Sequence, residues 1–157
     1  MTDLQKELTL TREFTAPVNM VFKAWTDQEL VKQWWGPNGV TNPICEVNPI
    51  VGGTMHIVML AGEELGPLKG QEWPMTGTFN EIEENKKIVF TGNAIVNNKP
   101  VLETLTTVTF EEANGKTKIT VHIVVTKTTP EAAGPISGME MGWNQQLDKF
   151  VNFITKQ

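Results

Sequence analysis

Side chains with chemical reactivity are sparse in this sequence, and the two reactive types are one cysteine, Cys45, and two histidines, His56 and His122. A nucleophilic cysteine needs a base or a positive charge that stabilises its thiolate, whereas the next residue along the chain is Glu46. We therefore interpret Cys45 as a small residue buried for packing. The two histidines fall in different predicted strands and match no metal-ligand motif, so no metal site is predicted.

Alternation along the predicted strands assigns faces to the two histidines. Four apolar residues alternate with His122 in the chain: Ile119, Val121, Ile123 and Val125. If these four point inward, His122 points outward. His56 stands between Met55 and Ile57, and is the histidine that the pattern allows to face an interior cavity.

Carboxylates occur in adjacent pairs at Glu63-Glu64, Glu83-Glu84 and Glu111-Glu112. All three pairs lie at predicted loops or strand ends, where side chains are usually solvated. General acid–base catalysis would need surroundings that push two pKa values apart. Glu103 shares a strand face with Val101 and Leu105, and we expect it to face solvent. No catalytic residue is predicted.

The apolar inventory is more informative, with five tryptophans, seven phenylalanines, seven methionines and no tyrosine. Methionine adapts to irregular space and to varied ligands, and ligand cavities are mostly apolar. We predict a cavity that is lined by Met139, Trp143, Gln146, Leu147, Phe150, Met55, His56, Met75, Phe79, Phe90 and Phe110. Gln146 would supply a hydrogen bond, and the glycine-bearing segment 61–71 would act as a gate.

The elements that position these residues begin with a strand at Glu7–Phe14, where apolar and polar residues alternate. Pro17 suits the start of a short amphipathic helix, and Asp27 is the predicted N-cap of a second one. Gly36-Pro37-Asn38-Gly39 ends that second helix.

The middle of the chain predicts six further strands in antiparallel succession. They span Cys45–Asn48, Thr54–Leu60, Trp73–Glu83, Lys86–Val96, Pro100–Ala113 and Lys116–Lys127. Glu84-Asn85 and Asn114-Gly115 are expected to be tight hairpin turns, because Asn and Gly tolerate positive φ.

A long helix at Met139–Lys156 closes the chain, with an apolar stripe along one side and polar residues along the other. A long antiparallel meander curls, and its concave face must be covered. This helix is the element large enough to cover it. We therefore predict an α+β helix-grip fold: a curved sheet of about seven strands around the C-terminal helix, with two short helices between the first two strands. Residues 1–157 form one domain.

Composition excludes several function classes. The net charge is −5, and the one arginine, Arg12, belongs to no basic cluster, which argues against nucleic-acid binding and against binding to a membrane surface. A single cysteine forms no internal disulfide and fits a reducing compartment. Segment 1–7 carries no signal-peptide core, so we expect a cytoplasmic protein without cofactors.

The sequence also resembles a known family at motifs that occur in order along nearly the whole chain. These motifs are Phe14-Thr-Ala-Pro17, Val21-Phe-Lys-Ala-Trp-Thr26, Trp34-Trp-Gly-Pro37, Val51-Gly-Gly53, Gly77-Thr-Phe79, Ile88-Val-Phe-Thr91 and Gly138-Met-Glu-Met-Gly-Trp143 followed by Leu147. Through them the chain resembles the activator of heat-shock protein 90 ATPase homologue-like family, within the START-like (SRPBCC, Bet v-like, polyketide-cyclase-like) superfamily. The resemblance implies the helix-grip fold.

Function follows less directly from the resemblance, since this scaffold serves carriers, sensors, cyclases and chaperone helpers. Asn48-Pro49-Ile50 stands where relatives tend to carry Asp-Leu-Arg, which implies that an arginine contact to an acidic ligand is missing here. The first hypothesis is non-catalytic binding of a small hydrophobic molecule. The alternative is a protein-interaction module of co-chaperone or stress-response type with a chaperone partner. An enzyme of the cyclase or hydrolase type, using His56 or a glutamate, ranks third.

Overall fold

The computed structural model of the protein describes residues 6–156. Segment 1–5, which belongs to the region predicted to lack a signal-peptide core, lies outside the described residues. The described chain forms one seven-stranded antiparallel sheet in the order β1-β7-β6-β5-β4-β3-β2. The strands are β1 (Glu7–Phe14), β2 (Val40–Val47), β3 (Thr54–Ala61), β4 (Glu72–Glu83), β5 (Lys87–Val96), β6 (Lys99–Ala113) and β7 (Lys116–Thr128).

Four α-helices within residues 6–156 accompany the sheet. They are α1 (Val18–Thr26), α2 (Gln28–Trp34), α3 (Ala133–Ser137) and α4 (Met139–Thr155). The Asp27 side chain accepts a hydrogen bond from the Glu29 backbone N–H at 2.9 Å, which confirms the predicted N-cap of α2. Two 3-10 segments, Glu63–Leu68 and Pro130–Ala132, complete the elements.

The sheet curls into a half-barrel with α4 on its concave side, which confirms the predicted helix-grip architecture. Polar contacts fasten α4 to edge strand β1. The Arg12 guanidinium donates to Asp148 Oδ1 at 3.1 Å and to Asn144 Oδ1 at 2.9 Å. The core lies between the sheet and the helices, and Phe150 and Leu147 of α4 are fully buried in it.

The hairpin turns and face assignments follow the sequence pattern. Asn85 and Asn114 adopt φ of 62° and 55°, as the predicted tight turns require. On β7 the side chains of Ile119, Val121 and Ile123 are fully buried. His122 lies on the outer face, where its ring contacts Glu7.

Three segments differ from the prediction. Strand β2 begins at Val40, because an edge strand tolerates Pro43 beside a bulge between Thr41 and Ile44. The segment predicted as a loop at 61–71 contains the 3-10 helix Glu63–Leu68. The approach to α4 contains the five-residue helix α3, which is too short for a periodic pattern to reveal.

A candidate ligand site between the sheet and helix α4

A cavity of about 660 Å³ lies between the sheet and α4, and it is bounded mainly by apolar side chains. Its sheet side comes from β3 to β6, and its helix side from the first half of α4 with α3. The loop that follows α2 and segment 61–71 close the remaining sides. The volume falls within the range of about 300–1,000 Å³ that is typical of small-molecule sites.

The structure places five of the predicted wall residues at this cavity. Met139, Trp143 and Gln146 line it from α4, Met75 from β4 and Phe90 from β5. The most deeply buried of these five are Phe90 and Gln146, which are 3% and 5% exposed.

Five other predicted residues lie in the packed core instead of the cavity wall. They are Met55, Phe79, Phe110, Leu147 and Phe150, all of them buried. Each points inward as its strand or helix pattern predicted. None of the five is among the residues that line the cavity, so they support the fold instead.

His56 lies on the opposite face of the sheet from the cavity. Its neighbours Met55 and Ile57 are buried, so the alternation of β3 turns His56 outward. There its Nδ1 atom is 3.5 Å from Glu46 Oε1, on the strand that pairs with β3. The expectation that His56 faces the interior is therefore wrong.

The sequence reading missed several wall residues because they are small. Gly92 and Ala94 follow Phe90 at intervals of two on β5, and Thr104 and Thr106 stand at the same interval on β6. Period-2 alternation from Phe90 places Gly92 and Ala94 on its face of the sheet. The signal was therefore present in the sequence as a run of small inward residues.

The mouth of the cavity carries apolar side chains that face solvent. Leu68, Val96 and Met141 are 42%, 36% and 65% exposed, and all three line the cavity. Leu65 and Gln71 also reach the wall from segment 61–71, the segment predicted to be a gate. This position is compatible with a gate, and opening and closing of the segment stays a prediction.

A network of backbone contacts anchors the loop after α2 to helix α4. The Gly36 N–H donates to Gln146 Oε1 at 2.9 Å, and the Asn38 N–H donates to Gln145 Oε1 at 3.0 Å. The Lys149 ammonium donates to the carbonyl oxygen of Pro37 at 3.3 Å. Burial lowers the pKa of Lys149, and Glu64 opposes that shift.

The surroundings of Cys45 do not support a nucleophilic role for its thiol. The thiol is half-buried and lies 3.6 Å from the carbonyl oxygen of Gln28. Burial raises its pKa to about 11, although Lys32 acts in the opposite direction. Across residues 6–156, no three His, Cys, Asp or Glu side chains are grouped closely enough to hold a metal ion.

This combination of sheet, covering helix and interior cavity has counterparts among known proteins. A family model described as "Activator of Hsp90 ATPase homolog 1-like protein" matches residues 15–155. The chain belongs to this family. The Hsp90-activator-like family is of the START or SRPBCC type, so the resemblance read from the motifs is confirmed.

Several solved structures share the fold over nearly the whole chain. A protein from Nitrosomonas europaea is 24% identical with a TM-score of 0.75, and the match covers 96% of this chain and 94% of that one. A protein from Arthrobacter aurescens is 20% identical with a TM-score of 0.82, covering 96% and 87%. An AHSA1 protein from Silicibacter pomeroyi is 21% identical with a TM-score of 0.74, covering 94% and 96%.

Two further findings concern curated relatives and membrane-spanning helices. No curated protein matches the chain. Within the described part of the chain, every helix is too short or too polar to cross a membrane.

Proposed function

We propose that this member of the Hsp90-activator-like family is a cytoplasmic carrier or sensor that binds a small, largely apolar molecule without transforming it. The observation that supports the proposal is the cavity of about 660 Å³ between the sheet and α4. A well-packed interior leaves few voids larger than a water molecule. A hollow of this size, with Met75 and Met139 in its wall, is suited to a small apolar occupant.

The exposed apolar mouth supports the same proposal. Isolated apolar side chains on a surface are normal, but a group of them around an opening marks an interaction site. Leu68, Val96 and Met141 surround the cavity in this way. A ligand entering the cavity would cover part of each of them, which would favour binding through the hydrophobic effect.

The experiment that tests the proposal uses Gly142, which lines the cavity from α4. A Cβ atom added at Gly142 would meet no other atom within 4 Å. Gly142→Phe should therefore place a ring in the cavity without forcing the backbone, and Gly142→Ala is its matched control. The neutral fluorophore N-phenyl-1-naphthylamine, whose emission rises in apolar surroundings, serves as the probe.

We expect saturable probe binding by the wild-type protein and by Gly142→Ala, and a loss of at least tenfold in affinity for Gly142→Phe. Thermal unfolding of both variants would check that each remains folded. Equal binding by Gly142→Phe and Gly142→Ala would show that the probe sits elsewhere. No saturable binding by the wild-type protein would overturn the proposal.

A second candidate is a co-chaperone module, which is favoured by the description of the family and by a separate apolar surface. Ile44, Ile50 and Val51, in and after β2, are 41%, 58% and 63% exposed. Purified Hsp90 provides the direct test. Binding or ATPase stimulation that is lost in a double variant, Ile50→Lys with Val51→Lys, while the probe still binds, would favour this candidate.

A further inference from the structure

The cavity wall contains a hydrogen-bond donor whose orientation is determined by its neighbour. Gln146 is 5% exposed, and its Oε1 atom accepts from the Gly36 backbone N–H at 2.9 Å. A backbone N–H can only donate, so the oxygen of the amide must face Gly36 and the nitrogen must face away. That nitrogen, Nε2, is buried without a hydrogen-bond partner among residues 6–156.

Thr106 provides a second unpaired polar group in the same wall. Its side chain is on β6, the residue is 1% exposed, and its hydroxyl has no partner in the described chain. Leaving a buried donor unpaired is destabilising, and most buried polar groups in proteins are paired. Among the described residues four buried side-chain atoms lack a partner, and two of them belong to residues that line this cavity.

The wall offers nothing that would neutralise a charge. None of the described residues that line the cavity is a lysine, arginine, histidine, aspartate or glutamate. Moving a carboxylate or an ammonium group from water into such surroundings without a partner is strongly unfavourable. The buried part of the cavity is thus suited to uncharged groups.

Resting on the proposed function, we propose that the ligand is an uncharged, largely apolar molecule whose buried end carries a carbonyl or hydroxyl oxygen that accepts hydrogen bonds from Gln146 Nε2 and Thr106 Oγ1. Both atoms are covered in the structure, so the ligand oxygen reaches them as neighbouring side chains move. Met75 and Met139 line the same cavity, and methionine side chains are flexible enough to make room. The ligand would then satisfy groups that the protein alone leaves unpaired.

Three compounds with one bicyclic skeleton separate the parts of this proposal. Tetralin is a pure hydrocarbon, 2-tetralone adds one carbonyl oxygen, and tetralin-2-carboxylate adds a negative charge. Their affinities are measured by displacement of N-phenyl-1-naphthylamine from the wild-type protein, Thr106→Val and Gln146→Met. Thr106→Val keeps the branched shape of the side chain and replaces the hydroxyl, which has no partner among the described residues, with a methyl group.

We expect 2-tetralone to bind the wild-type protein more tightly than the other two compounds. Each substitution should weaken the affinity for 2-tetralone by about threefold to tenfold, as expected for the loss of one neutral hydrogen bond. The affinity for tetralin should fall by less than twofold. Structural damage would instead weaken both compounds equally, which makes tetralin the internal control for Gln146→Met.

Equal effects of both substitutions on tetralin and 2-tetralone would overturn the hydrogen-bond assignment while leaving hydrophobic binding intact. Tetralin-2-carboxylate binding as tightly as 2-tetralone would overturn the uncharged class. If the fluorophore itself did not bind, the proposed function would fail, and this assignment with it.

Discussion

The two halves of the space between the sheet and α4 are built in opposite ways. In one half, aromatic rings fill the interior. The ring of Phe150 lies 4.7 Å from that of Trp34 and 5.7 Å from those of Phe14 and Trp25, in tilted or edge-on contacts. We call this half the aromatic core, and the half that contains the cavity the hollow half.

The hollow half has the same sheet and the same helix, but several of its inward positions hold smaller or more flexible residues. Gly92 and Ala94 stand on β5 and Gly142 on α4, where bulkier residues would fill the space. Trp143 reaches a ring contact with Trp35 at 5.9 Å on one side of the cavity. The comparison teaches that side-chain volume at a few inward positions, within one backbone architecture, decides whether the interior is packed or open.

The largest expected effect comes from removing a ring from the aromatic core. Phe150→Ala should lower the free energy of unfolding by about 3–5 kcal/mol, because a fully buried ring leaves a cavity among packed neighbours. Trp143→Ala, on the partly exposed wall of the hollow half, should cost about 1 kcal/mol. Urea unfolding measures both.

The affinity for the probe should rank substitutions at these two positions in the opposite order. Trp143→Ala should weaken N-phenyl-1-naphthylamine binding more than any Phe150 variant that remains folded, for example Phe150→Leu. If Phe150→Ala and Trp143→Ala lowered stability equally, the distinction between the two halves would be wrong.

The next effect concerns the loop that joins α2 to the hollow half. Gly36 has φ of +92°, and a Cβ atom there would lie 2.6 Å from Val40 Cγ2 and 2.9 Å from Met59 Sδ. We expect Gly36→Ala to lower the free energy of unfolding by about 2–3 kcal/mol, combining backbone strain with these contacts. Thermal or urea unfolding measures the loss.

Gly52 provides the matched control for Gly36. Its φ is +85°, but a Cβ atom there would meet nothing within 4 Å. Gly52→Ala should therefore cost only the strain, about 1 kcal/mol. Equal losses in the two variants would mean that the surroundings of Gly36 relax freely.

A smaller effect of opposite sign is expected inside the hollow half. Glycine within a helix is less stable than alanine by about 0.5–1 kcal/mol, and Gly142 has open space around it. Gly142→Ala should raise the free energy of unfolding by that amount. A decrease would indicate that the space beside Gly142 is smaller than the structure shows.

A last effect, on the reactivity of a thiol, is expected at Cys45, which belongs to neither half. Burial raises its pKa from 9.0 to about 11, so alkylation by iodoacetamide should accelerate around pH 11 in the folded protein. Because the pKa of Cys45 is higher in the folded protein than in the unfolded chain, the neutral thiol makes its full contribution to the free energy of unfolding below about pH 9. That contribution is lost as the pH rises through about 11. The pH profile of alkylation tests this, and a midpoint near pH 9 would show that the thiol is solvated.

Much of the fold was predictable because it depends on local patterns. Alternation along β7 placed Ile119 inward and His122 outward, and Asn114-Gly115 marked a hairpin turn. Asp27 marked the start of α2. These features involve residues that are neighbours in the chain or across one turn, so the residue types carry the necessary information.

The candidate site was predictable only in part, because inward-facing residues divide between two environments. Met75, Phe90 and Trp143 line the cavity, whereas Phe79 and Phe110, which also point inward, do not. Alternation assigns a side chain to a face of the sheet, and it does not say which part of that face the helix covers closely. His56 and Gly92 are different cases, because alternation along β3 and β5 places His56 outward and Gly92 on the face of Phe90, and that signal was present in the sequence.

The sequence alone determined the order of the strands and longer helices, the inward and outward faces of the strands and the apolar side of α4, since each depends on spacing along the chain. Its motifs, through their resemblance to known proteins, indicated the family. Tertiary structure decided where α4 crosses the curled sheet and therefore where the interior is hollow. It also brought Gly36 to Gln146, residues far apart in the chain, and so oriented the amide whose nitrogen remains unpaired beside the cavity. Contacts of this kind depend on how distant segments meet in space, which is information that residue spacing does not contain.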